Sequence, residues 1–176
     1  QVFKGCSPRL AAGPPRTPAT PDGGGGYLFY VMFALSVLRR YWDNVAAEIE
    51  GIAQAVPLTL EATMADKVRA VGEADSPVIF WLVPSAEGRG DIDAVNDENL
   101  CVVFVMKRYN PRTSSSFEAL ELTQPAAEAL RRRILDDARR PCHFLHAVAS
   151  TVTIIPETEF FGNWAGWSIA FSAKDF

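Results

Sequence analysis

The chain has 176 residues, 48% of them hydrophobic, and a formal net charge of −4. That length supplies one ordinary hydrophobic core rather than two. The mild acidity excludes bulk electrostatic capture of nucleic acid, and no direct sequence-specific nucleic-acid contact is expected.

Residues 1–26 are of low complexity. Pro8, Pro14, Pro15, Pro18 and Pro21 lead into Gly23 to Gly26. Such a stretch buries too little apolar surface to offset its ordering entropy. The sequence therefore predicts a flexible arm over 1–26 and a single α+β domain over 27–176. Tyr27 to Leu38 is apolar and uncharged, but shorter than the roughly twenty residues a spanning helix needs. Its length suits a signal-type apolar region, yet no small-residue cleavage site follows. No membrane partner is expected. The three cysteines, Cys6, Cys101 and Cys142, are odd in number and irregular in spacing, which argues against a disulfide framework and for reduced, intracellular folding.

A helix is predicted over Phe33 to Val56. Leu38, Trp42, Val45, Ile49, Ile52 and Val56 form one apolar stripe, with Arg39, Arg40, Asp43, Glu48 and Glu50 off it. Pro57 is expected to end it by withholding a backbone donor. Leu58 to Val71 reads less clearly, as a strand plus a short helix. Pro77 to Pro84 is a continuous apolar run, which predicts a strand buried on both faces. An acidic connection over Glu87 to Asn99 is read as a solvated loop. Leu100 to Tyr109 then gives a second strand, antiparallel to the first, with Cys101 as a buried thiol.

Asn110 to Ser116 is a turn, and Ser116 or a neighbouring serine caps a helix starting near Phe117. Pro125 predicts a kink or two abutting helices, with Thr123 as a fresh cap. Leu130, Ile134, Leu135 and Ala138 carry that helix's buried stripe, and Pro141 stops it. Phe144 to Ile155 is rich in β-branched residues and predicts a third strand. Pro156 to Glu159 turns the chain into the last one. There Trp167, Ile169 and Phe171 point one way, and Ser168, Ala170 and Ser172 the other. Gly162, Asn163 and Gly166 suit a turn or bulge. The order helix, strand, strand, helix, strand, strand predicts an α+β fold: a four-stranded, mainly antiparallel sheet with two main helices packed on one face.

The motifs do not assemble a reaction centre. Cys142, His143 and His146 are of zinc-binding types, but on a strand the two histidines face opposite sides. Asp91, Asp93, Asp97 and Glu98 match a calcium loop only in composition, because Val95 and Asn96 occupy its fifth and sixth positions. Gly23 to Gly26 lacks the Gly-Lys-Ser/Thr of a phosphate cradle. Ser114 to Ser116 lacks the flanking glycines of a nucleophile elbow. Trp81, Trp164 and Trp167 suit a ligand platform, a core or a subunit interface. No catalytic residue, cofactor or metal is expected.

One likeness emerges from these segments together. Leu38-Arg-Arg-Tyr-Trp-Asp-Asn-Val45 leads, followed by Pro77-Val-Ile-Phe-Trp-Leu-Val83 ahead of the acidic stretch. Cys101-Val-Val-Phe-Val-Met106 and the helix over Phe117 to Arg140 come next. Phe160-Phe-Gly-Asn-Trp-Ala-Gly-Trp-Ser-Ile-Ala-Phe-Ser172 closes the chain. From about Phe33 onward the chain resembles the small tail-completion and tail-terminator-like neck proteins of tailed phages and prophages, of the kind found with Bacteroidetes hosts. The resemblance implies a structural virion protein without enzymatic activity. Such a protein forms a homo-oligomeric ring, usually sixfold, that caps or completes the tail tube and joins it to the head. It implies tube and neck or connector proteins as partners, assembly in the host cytoplasm, and a final place in the tail or neck of the virion. A closed ring needs a heterologous interface, and the expected one sets Asp91, Asp93, Asp97 and Glu98 against Arg131, Arg132 and Arg133 of the next subunit. The alternative is a small α+β ligand-binding or regulatory domain without catalysis, using the tryptophans around a pocket.

Overall fold

The closing segment folds as a long strand that is paired on both sides and lies inside the sheet, not at its margin. The computed structural model describes residues 34–59, 64–71, 76–89, 96–140, 146–147 and 152–174, which belong to one compact unit, Val31–Phe176. The arm over 1–26 lies outside the described residues. In chain order the elements are α1 (Leu35–Glu48), β1 (Ala55–Leu58), α2 (Met64–Ala70), β2 (Val78–Leu82), β3 (Ser85–Arg89), β4 (Asn96–Arg108), α3 (Ser116–Ala138), β5 (His146–Ala147), β6 (Thr153–Phe160) and β7 (Trp164–Lys174).

The fold is α+β, as predicted, but the sheet is larger and mixed. Hydrogen-bonded neighbours run β1-β2-β4-β7-β5, with β3 also on β4 and β6 also on β7. β1 and β2 are parallel, and the other pairs are antiparallel. A parallel pair needs a crossover connection, and α2 lies in that connection. The ambiguous stretch over Leu58 to Val71 thus resolves into the end of a strand and a short helix.

Period-two alternation divides the core. Ile79, Trp81, Cys101, Val103, Val105, Ile169 and Phe171 face α1 and α3 on one side. Val78, Phe80, Met106 and Trp164 face the other way, clustering with Leu58 and with Val68 of α2. The predicted pair of helices on one face is therefore present, and a third helix covers part of the opposite face. The closing strand behaves as its alternation predicted, since Trp167, Ile169 and Phe171 all pack into the larger cluster. Full burial of side chains such as Phe80 and Phe171 stabilises by roughly 1.5–3 kcal/mol each.

Several boundaries differ from expectation, each for a local reason. α1 stops at Glu48, not Val56, because Gly51 adopts φ +83° in the left-handed region, the conformation that ends helices most cheaply at glycine. Ile49 and Ile52 still pack on the core, from the turn instead of the helix. Pro57 lies within β1. The Gln54 and Leu58 carbonyls accept from Ile79 of β2 and from Val83 just after it, each at 3.0 Å, so Pro57, of the opposite parity, faces the open edge where no donor is needed. The supposed loop over Glu87 to Asn99 is largely strand: β3 reaches Arg89 and β4 begins at Asn96. Trp81 pairs with Val103 and Ser85 with Leu100. Leu82, Val83 and Pro84 thus stand opposite Val102 and Cys101, a bulge at the proline that separates β2 from β3.

α3 is one continuous helix, not two. Its cap is Ser115, the serine neighbouring Ser116, in a reciprocal capping box with Glu118: the Glu118 N–H donates to Ser115 Oγ at 3.2 Å, and the Ser115 N–H to Glu118 Oε2 at 2.9 Å. Thr123 is not a second cap. Its hydroxyl donates to the carbonyls of Ala119 and Leu120 at 2.8 and 3.1 Å, and the Trp167 indole N–H donates to the Leu120 carbonyl at 3.1 Å. These bonds occupy carbonyls in the turn that Pro125 disturbs. The third predicted strand, Phe144 to Ile155, is the short β5 followed by β6, with 148–151 outside the described residues. Pro156 does not turn the chain; it lies in β6, a sheet-edge strand that tolerates a missing donor. The turn comes later, at Phe161 and Gly162, whose φ values are +47° and +91°.

Gly166 is required for a different reason. A Cβ there would run into the Val105 carbonyl oxygen and meet Met106 Cα at 2.9 Å, both on the partner strand β4. Gly162 has open space around it. Gly166→Ala is expected to destabilise the fold by about 3 kcal/mol or more, at the upper end of overpacking costs. Gly162→Ala should cost about 1 kcal/mol, the left-handed penalty alone. Urea unfolding of the two variants checks the ranking, and equal midpoints would refute it.

Candidate functional site

The most connected polar group in the described structure is a buried carboxylate. Asp137 lies on the inward face of α3, seven residues after Leu130 and three after Ile134, and it is 0% exposed. Its Oδ2 accepts from the Tyr41 hydroxyl of α1 at 2.9 Å and from Arg133 Nε at 2.6 Å. Arg140 stands 3.4 Å from Oδ1, as an ion pair without hydrogen-bond alignment. Arg133 also reaches back to α1 and bonds Glu48. The result is a polar clasp across the α1–α3 contact.

The clasp is organised for structure. Burial, then the neighbouring Asp137 charge and its hydrogen bond, push the Tyr41 hydroxyl well above its usual pKa, so it remains a donor. Burial lowers the affinity of Arg133 for its proton, and hydrogen bonds to Asp137 and Glu48 outweigh that and raise its pKa. Both groups keep one protonation state across the physiological range, unlike an acid or base poised for proton transfer. Sequence reading missed the pair because Tyr41 sits beside the Trp42 stripe and Asp137 reads as one more charge near a helix end. The available signal was the position of Asp137 on the buried stripe of α3.

The predicted interface residues fall in different places. Asp91 and Asp93 lie outside the described residues. Asp97 and Glu98 are strand residues at the start of β4, and Glu98 is half-buried. Arg131 and Arg132 are exposed on α3, beside a shallow depression of about 410 Å³ shared with Gln124, Glu128, Ile154 and Trp167. Arg133 is not presented outward with them; it is held inside the clasp at 26% side-chain exposure. Cys142 and His143 lie outside the described residues. Trp81 and Trp164 are core residues, and Trp167 is partly buried against the core.

Two further depressions mark the surface. One, of about 450 Å³, lies at the start of α3 between Lys107, Arg108, Tyr109, Glu118 and Leu122. Phe117 and Leu122 stand out at this end of the helix, at 65% and 61% exposure. The other, of about 510 Å³, lies between α1 and the β1–β2 side of the sheet. Leu35, Pro57, Trp81 and Val83 line it together with Arg39, Arg40 and Asp43. Among the described residues, no group of three or more His, Cys, Asp or Glu side chains is placed to hold a metal. No described helix is long and apolar enough to cross a membrane.

No protein-family model matches the chain, and no curated protein matches it in sequence.

Two measurements test this reading of the interior. Removing the buried carboxylate with Asp137→Ala strands the groups around it and is expected to cost about 3–5 kcal/mol. Tyr41→Phe, which removes one charge-assisted bond, should cost about 1.5–3 kcal/mol. Urea unfolding at neutral pH reads both, and an unchanged Asp137→Ala midpoint would contradict a structural clasp. Separately, burial pushes the Cys101 thiol up to about 12. Native protein at pH 8 should therefore leave the Cys101 peptide unmodified by iodoacetamide, with rapid labelling in denaturant. Mass spectrometry of that peptide decides; comparable labelling in both states would show that the site is open.

Proposed function

We propose that this protein is a structural assembly subunit of a phage tail or tail-like particle. It forms a ring at the tail–neck junction that completes the tail tube and joins it to the head. The observation that carries this reading is the disposition of the segments behind the resemblance. Each segment takes the element type expected of it, α1 and α3 as helices and β2, β4 and β7 as strands, and the distinctive closing stretch forms the β6–β7 turn and the inner strand β7.

Surface chemistry adds support. Leu35 and Val37 on α1, Phe117 and Leu122 on α3 and Ile155 on β6 are all exposed, and in this reading they supply apolar contact to neighbouring subunits. In this reading the protein acts through those surfaces, without catalysis or cofactor. Its partners are further copies of itself, tube protein and connector protein, and its place is the virion after assembly in the host cytoplasm.

The test is the solution mass of the full chain by size-exclusion chromatography with light scattering. The expected result is a closed ring near six subunits, and electron micrographs should show annular particles of matching size. A mass of one subunit at concentrations of tens of micromolar, with no binding to tube or connector protein, would refute the proposal.

A further inference from the structure

We infer that the groove between α1 and the β1–β2 side of the sheet receives the acidic β3–β4 connection of a neighbouring copy. This inference rests on the ring reading and names the surfaces that meet.

The groove combines two properties of a docking site. Its lining is apolar, with Leu35, Pro57, Val83 and Trp81, and Leu35 remains 47% exposed. Its rim is cationic. Arg39 and Arg40 are exposed and make no ion pair or hydrogen bond with any described residue, while Asp43 contributes one opposing charge.

The occupant is chosen by charge and by topology. The connection between β3 and β4 carries Asp91 and Asp93, with Asp97 following on β4. This is the densest acidic stretch in the sequence. The hairpin begins directly beyond the groove, since Val83 lines it and β3 starts at Ser85. β3 then adds five residues, about 17 Å of extended chain, before the acidic connection begins in the sequence. Patch and counter-patch differ, so the contact is heterologous and closes into a ring by rotation.

The α3 arginines are the weaker receptor. Arg133 is held in the clasp, and Arg132 Nε lies 3.4 Å from the Glu128 carbonyl.

The experiment compares full-length variants by light scattering, with circular dichroism to check folding. R39E/R40E and D91K/D93K should each fold, yet need at least tenfold higher concentration than wild type to assemble. Mixed one to one, they should restore the ring, because alternating subunits recreate opposite charges at every contact. Wild-type assembly by R39E/R40E would overturn the inference, as would failure of the mixture to recover. A ring lost in R131E/R132E but intact in R39E/R40E would also overturn it and leave the assembly role standing. A wild-type chain that stays monomeric would remove both.

Discussion

The ladder between β4 and β7 is the constraint on which the rest of this fold depends. It runs without a register shift from Glu98 opposite Lys174 to Arg108 opposite Trp164. Every other described strand pairs with one of these two except β1, which reaches them through β2. Both helical layers rest on their alternating faces, α1 and α3 on one and α2 on the other. Because α3, β5 and β6 lie between β4 and β7 in sequence, the ladder closes only when distant parts of the chain meet. Such non-local pairing is entropically expensive to nucleate, and it makes the sheet cooperative with its own C-terminal strand. Gly166 shows how tightly the ladder is drawn: there the two backbones approach too closely for any side chain.

The polar clasp fixes what the ladder leaves open. A helix lying on a flat apolar sheet can slide with little loss of burial, because hydrophobic contact is non-directional. Directional bonds remove that freedom. Tyr41 and Glu48 lie on α1, Arg133 and Asp137 on α3, and their bonds define one relative setting of the two helices. The Trp167–Leu120 and Thr123 bonds do the same between α3 and the sheet, and within α3, near Pro125. In the proposed ring every copy would have to present the same surface, and a helical layer locked in register would meet that demand.

Legibility from sequence followed the physics of each signal. The alternation in β7 and the apolar run of β2 were plain, because burial on one or both faces writes a regular pattern into adjacent residues. The capping serine of α3 was legible to within one residue, since the capping box is a local device. Elements governed by position in the sheet were not legible. Pro57 and Pro156 read as breakers, yet each sits in a strand whose outer side carries no partner among the described residues, a circumstance that only the finished topology reveals. Likewise Gly51 could end α1 early because Ile49 and Ile52 could still reach the core from a turn. The Asp137 clasp and the α1 groove were hidden for a related reason: both join residues far apart in the chain, and neither leaves a spacing motif.

The outer strands bear directly on how copies can join. β1 is short and carries Pro57; β6 carries Pro156 and shifts register between Glu157 and Phe160. Short strands, prolines and irregular pairing are the devices by which proteins spoil a sheet edge as a template for another chain. Strand-to-strand extension is thereby disfavoured along β1 and β6. In the proposed ring, association would then proceed through side chains. The inferred contact sets the cationic groove beside α1 against the acidic β3–β4 connection, a pair matched in charge. Neither feature requires backbone pairing across the contact. Specificity of the ring would therefore reside in a few charged and aromatic side chains, and it should weaken with salt as partly exposed ion pairs do.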